Sequence, residues 1–267
     1  MTQSTIGFKI NFFRLLLTFL AGLALLFIIA PLLGLIIHTS PVSIAETASD
    51  KEVTSSIWLT LWTSMLATLI LSLGAIPLAY LLARRNFRFK RMVSGIIDLP
   101  IVIPHSAAGI AVLSVISRET IVGKTAGSLG IEMVGSPAGI MVAMAFVSLP
   151  FLINAARDGF SDVPVRLEQA AQNLGASSIR VFFCISLPLA WKNIVSGLIM
   201  MFARGMSEFG AVIIVAYHPM VTPVLIFERF GAFGLNYAKP VAVLFIGVCL
   251  MFFILLRSFT KDKSQHA

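Results

Sequence analysis

Long uncharged or nearly uncharged stretches alternate along the chain with short polar segments. They occupy residues 15–37, 57–83, 92–117, 137–156, 193–217 and 240–256. An α-helix rising 1.5 Å per residue needs about 20 apolar residues to cross a hydrocarbon core about 30 Å thick, so each stretch is read as a membrane span. The third carries Asp98 and the fifth carries Arg204 and Glu208. The sixth is the shortest, and flanking Lys239 and Arg257 can snorkel to the interfaces and lengthen it. The first run follows a basic start, Lys9 and Arg14, but is far longer than the roughly 7–15 residues of a signal-peptide core, so it is read as an uncleaved span. The pattern predicts an all-α integral membrane protein: a single transmembrane domain over 1–267, with about six helices and a long polar loop over 157–192.

Composition agrees. Of the 267 residues 58% are hydrophobic and 12% are charged, whereas soluble domains have about 45–50% apolar and about 25% charged residues. The net charge of +8 would suggest nucleic acid in a soluble chain. In a membrane chain it reports orientation. Fourteen of the 20 Lys and Arg fall at the termini, between the second and third stretches, and between the fourth and fifth. Five (Lys51, Arg118, Lys124, Arg229 and Lys239) fall on the opposite side, and Arg204 lies within a span. The positive-inside rule then places both termini in the cytoplasm of a multi-pass cell-membrane protein and removes the case for nucleic acid. Cys184 and Cys249, and His38, His105, His218 and His266, are too scattered to suggest a disulfide framework, a metal site or a catalytic triad.

The 157–192 loop has readable local chemistry. Asp162 is placed to cap a helix with Pro164 early in it, good helix formers run to Leu174, and Gly175 stands as a stop. Ser177 or Ser178 can cap a second short helix toward Ser186, with Pro188 near its end. The segment Glu168-Gln169-Ala170-Ala171-Gln172-Asn173-Leu174-Gly175, followed after nine residues by Ile185-Ser186-Leu187-Pro188, resembles the EAA loop of ABC importer permeases, EAA-x3-G-x9-I-x-L-P. Gln169 replaces the motif glutamate, with Glu168 one residue earlier. The resemblance implies a cytoplasmic helix that docks on a separate ATPase dimer through Glu168, Gln169, Ala170, Ala171, Leu174, Gly175, Ala176, Ser177 and Pro188. Small Ala170 and Ala171 permit close approach, and Gly175 a sharp turn.

No phosphate-binding loop accompanies it. Gly123-Lys124-Thr125 resembles the end of one, but Arg118 stands where the motif needs glycine. The chain is therefore expected to be no enzyme itself and to hold no cofactor, with ATP and Mg on the partner ATPase. A charge at a span centre costs about 2.5–3.5 kcal/mol, so Arg204 and Glu208, one turn apart, must face protein or water. Two readings stand: a pair lining the anion route or its gate, and an internal strut. Pro100 and Pro104 deprive the third span of two backbone donors and predict a kink or break, either in a mobile pore-lining element or in a bent packing helix. His105 is expected to be a pore-facing or hydrogen-bonded polar residue.

Arg204-Gly205-Met206-Ser207-Glu208-Phe209-Gly210-Ala211 is similar to R-A-x-[GS]-E-[FY]-G-[AS] of permeases for molybdate, tungstate and sulfate, with Gly205 where alanine is usual. Leu99-Pro100-Ile101-Val102-Ile103-Pro104 looks like their LPxVxPP, with His105 at the last proline. The segments from Pro223 to Phe230 and from Lys239 to Leu244 look most like the tungstate/molybdate branch. The resemblance implies an ATP-driven importer of a tetrahedral oxyanion, most simply tungstate or molybdate, with sulfate or thiosulfate as the alternative. Two copies would form the pathway as a homodimer within membrane lipid. An external oxyanion-binding protein would deliver the anion to loops near 118–136 and 218–239. An ion-gradient-driven secondary transporter is the rival class; its paired broken helices find no counterpart here, because the sixth span has no interior break like that at Pro100 and Pro104.

Overall fold

In a computed structural model the described residues are 12–258. Lys9, Lys261, Lys263 and His266, which entered the charge and histidine arguments, lie outside them. The described residues form thirteen α-helices and one π-helical turn, with no strand among them. Five helices are long and apolar enough to cross a membrane, or six when one bent pair is taken as a single span.

Beyond Arg14, helix α1 (Phe12–Ile37) is apolar on every face, and its most hydrophobic stretch, with a mean hydropathy of 2.8, buries nothing against the rest of the chain. An all-round apolar surface of that kind is stable only in lipid or against another subunit. The short α2 (Pro41–Ser49) leads into α3 (Lys51–Arg84), whose 34 residues make it about 51 Å long, well beyond the hydrocarbon thickness. The expected second span, 57–83, is therefore lengthened mainly at its N-terminal end, where Asp50 caps the helix by accepting from the Glu52 N–H at 2.8 Å.

One face of α3 carries Ser56, Thr60, Thr63, Ser64, Thr68 and Ser72, all buried, and continues through Ala67, Ala75 and Ala79. Most of these hydroxyls donate to carbonyls three or four residues back, as Thr60 does to Ser56 at 2.7 Å and Thr68 to Ser64 at 2.8 Å. Much of the polarity is thus satisfied within the helix, although Thr60 also accepts from the Thr222 N–H at 2.8 Å, and small side chains remain at the contact. Small residues drive helix association in membranes because they let backbones approach. Against this face lies α7 (Pro137–Asp162), the most deeply buried long helix, and against both lies α10 (Leu187–Met206). Gly197 allows α10 to approach α7; a Cβ there would lie 2.9 Å from that of Ala155. Ser64 donates to the Phe202 carbonyl at 2.8 Å, tying α3 to α10.

One expectation is met and two are corrected. The expected break in the third span is present: α4 (Lys90–Val102) and α5 (His105–Ile116) meet at 114°. The break lies at 103–104, because Pro104 has no N–H to continue the ladder. Pro100 stays inside α4 without breaking it. The fifth span, 193–217, is also interrupted: α10 ends at Met206 and α11 (Gly210–Val215) starts afresh. At the other end α10 continues back through a π turn (Phe182–Ser186) to α9 (Ser178–Val181), making 29 continuous residues. Pro188 therefore does not sit near the end of a separate short helix; the wider π turn preceding it accommodates the missing donor and the ring.

The sixth helix, α13 (Leu235–Ser258), is longer than the expected 240–256 and includes Lys239. On the side opposite the 157–192 loop are α6 (Ile121–Ser128), which contains Gly123-Lys124-Thr125 as ordinary helix, and α12 (Thr222–Phe233).

Candidate functional site: a broken-helix junction and a turned-out loop

The two helix breaks meet. His105 opens α5, Arg204 lies in the last turn of α10, and Glu208 falls in the gap before α11. Glu208 is 1% exposed and fully engaged. Its Oε1 accepts from the Ala211 N–H at 2.9 Å, which caps α11, and its Oε2 lies 2.9 Å from both Arg204 Nη2 and His105 Nδ1. Arg204 Nη2 is also 2.9 Å from the His105 ring nitrogens. The side chains of Arg204 and His105 are 23% and 41% exposed, so the carboxylate is sealed inside while its cationic and imidazole partners reach the surface of the junction.

The sequence makes this approach possible with glycine. A Cβ on Gly210 would lie 2.6 Å from the Cβ of His105, and one on Gly109 would lie 2.8 Å from the Ala211 carbonyl oxygen. Gly205, where the resembling permeases usually have alanine, faces Ser64: a Cβ there would lie 2.6 Å from its Oγ. The structure thus joins His105, Arg204 and Glu208. Pro104 creates the bend, and Pro100 is buried in α4 away from the cluster's hydrogen bonds.

At the other end, α8 (Val165–Asn173) is capped by Pro164, with no side-chain cap. Asp162 belongs to the last turn of α7 and accepts from Asn193 instead of capping α8. Gly175 takes φ +88°, a conformation that only glycine adopts without strain, and turns the chain; Ser177 rather than Ser178 caps α9, accepting from the Arg180 N–H. The turn presents apolar surface: Leu174 is 89% exposed and Ile179 is 71% exposed. Gln169, Ala170, Ala171, Ala176, Ser177 and Pro188 are also at least partly exposed.

Glu168 is not. It points into the bundle, where Arg84 of α3 grips it through Nε and Nη2 at 2.8–3.0 Å and Ser186 of the π turn donates at 2.6 Å. Burial raises its pKa, but the Arg84 and Ser186 hydrogen bonds more than offset this, holding the carboxyl below its ordinary value. The sequence offered no signal for this pairing, because the partners are 84 and 18 residues away.

A second charged cluster lies near the N-terminal end of α3. Arg229 of α12 binds Asp50 and Glu52. Its hydrogen bond to Asp50 lowers that carboxyl below the usual range.

Comparison with known proteins now decides the family. Residues 75–262 match the family described as binding-protein-dependent transport system inner membrane component. The chain belongs to this family. It is 43% identical over 216 residues to a molybdate/tungstate transport system permease protein of Methanocaldococcus jannaschii, covering 81% of this chain and 85% of that one. It is 44% identical over 214 residues to the protein of the same description in Pyrococcus abyssi, covering 80% and 81%. Among solved structures, a bacterial ABC transporter involved in the import of the acidic polysaccharide alginate superposes with a TM-score of 0.72 at 18% identity, covering 95% of this chain and 96% of that chain. That likeness establishes the fold as an ABC permease fold. The chain is accordingly a multi-pass membrane permease subunit.

Proposed function

We propose that this chain is the permease subunit of an ATP-driven importer of molybdate or tungstate. The observation that carries the reading is the 43% identity, over four-fifths of the chain, to a permease described as transporting those anions. Two copies form the pathway in the cell membrane, with both termini in the cytoplasm. A separate ATPase dimer holds ATP and Mg and docks on the turned-out surface of Leu174, Gly175, Ala176 and Ser177, flanked by Gln169, Ala170 and Ala171. An external oxyanion-binding protein delivers the anion to the opposite side, near 118–136 and 218–239.

Nucleotide-driven closure of the ATPases displaces α8, and the membrane helices exchange inward-facing and outward-facing arrangements; the partner's nucleotide biases one of two states. At the junction, Arg204 and His105 are the groups able to meet a dianion, and Glu208 keeps the cation oriented when no anion is there. Breaks at 103–104 and 207–209 let α5 and α11 move without unwinding α10.

Uptake by the reconstituted complex tests the substrate. Labelled molybdate should accumulate in vesicles and be displaced by tungstate at a lower concentration than by sulfate. Preferential displacement by sulfate would assign the alternative oxyanion.

A further inference from the structure

Glu168 is the only buried residue of α8. The coupling helix therefore brings no apolar side chain into the core, and its buried attachment to the bundle is one carboxylate. That carboxylate reaches three elements. Arg84, at the last turn of α3, binds it in a fork and also donates to the Val163 carbonyl at the end of α7 at 3.1 Å. Ser186 connects it to the π turn that runs into α10. Tyr80, one turn before Arg84 on α3, places its hydroxyl 3.5 Å away, and its ring packs edge-on against Phe160 of α7 and Phe182 of the π turn. These are the ends of the three helices that form the packed centre of the molecule.

We infer that the Glu168–Arg84 ion pair is the joint through which displacement of the coupling helix reaches α3, α7 and α10, and that Glu168 is a positioning residue rather than a contact to the ATPase. The inference rests on the docking reading above. An apolar contact slides under load, whereas a forked, buried, hydrogen-bonded pair with Ser186 on a third side fixes direction as well as distance. The π turn beside the joint gives α10 a deformable step at the place where the motion enters it.

The test is uptake per ATP hydrolysed by the full complex, with ATPase and binding protein, in vesicles. Glu168→Ala and Arg84→Ala should each lower molybdate uptake about tenfold or more relative to ATP hydrolysis, within the range that coupling between sites spans. The double variant should be no worse than either, since the two residues act as one unit. Glu168→Gln, which keeps the shape and an acceptor for Ser186, should lie between and serves if the alanine variant fails to fold. An unchanged ratio in Glu168→Gln or Glu168→Ala would overturn the inference, as would a parallel fall of uptake and hydrolysis with loss of the ATPase on purification, the behaviour of a mere support. Leu174→Asp separates the underlying reading: it should release the ATPase, and retention of a fully active ATPase would refute docking itself whatever Glu168 does.

Discussion

Replacing Arg204 distinguishes an anion-meeting junction from an internal strut. In Arg204→Met, Glu208, at 1% exposure, keeps only His105 and the Ala211 N–H. Breaking a buried pair by removing one partner costs about 3–5 kcal/mol, mostly the penalty of the charge left behind. Removing the charge as well reverses this: in Arg204→Met/Glu208→Gln the amide oxygen still accepts from Ala211, and stability should return to within about 1 kcal/mol of the parent. Transport should behave differently. If the partly exposed guanidinium donates charge-assisted hydrogen bonds to a passing oxyanion, each worth about 1.5–3 kcal/mol, the double variant remains impaired by about ten- to a hundredfold. Thermal unfolding of the purified protein beside ATP-driven molybdate uptake in vesicles gives both quantities. A double variant that regains parental stability and parental uptake together would refute the anion-meeting role and leave a strut.

Three further outcomes follow from the geometry. Gly210→Val forces the new Cβ against His105, 2.6 Å from its Cβ; overpacking of this kind costs about 1–3 kcal/mol, and the variant should lose uptake as His105 is driven from Glu208, whereas normal uptake and stability would show that the approach is dispensable. Gly175→Ala must hold φ +88° with a side chain, although open space surrounds it; the cost of about 1–2 kcal/mol should weaken ATPase co-purification about tenfold, and undiminished binding would refute the need for the turn. Because the Glu168 carboxyl is held below its ordinary value, its contribution to stability is present above the usual carboxylate range and is lost as pH falls through its lowered value. The stability gap between the parent and Glu168→Gln should therefore be full at neutral pH and close in acid; a gap constant with pH would contradict the ion pair.

How much the sequence revealed depended on the range of each signal. The apolar runs, the glycine turn at Gly175 and the proline-led bend at Pro104 are local, and each stands close to its expected place. The i,i+4 spacing of Arg204 and Glu208 likewise foretold their pairing. What was hidden depended on contacts across the chain. His105 joins Glu208 only because α5 and α11 approach through Gly109 and Gly210. The buried hydroxyl face of α3 reads as weak hydropathy and gains its meaning from α7 and α10. Glu168 was expected on the docking surface because it stands in the EAA-like segment; its inward orientation follows from Arg84, far away in sequence. Asp162 misled for a local reason: α7 ran on to include it, so it ended one helix instead of starting the next.

This permease should move an oxyanion only when an ATPase drives it. Vesicles holding the chain alone, and vesicles holding it with the ATPase and the binding protein, should be compared for molybdate uptake with and without internal ATP. Accumulation is expected only in the complete, ATP-loaded vesicles. Accumulation by the chain alone, driven by an imposed ion gradient, would contradict this.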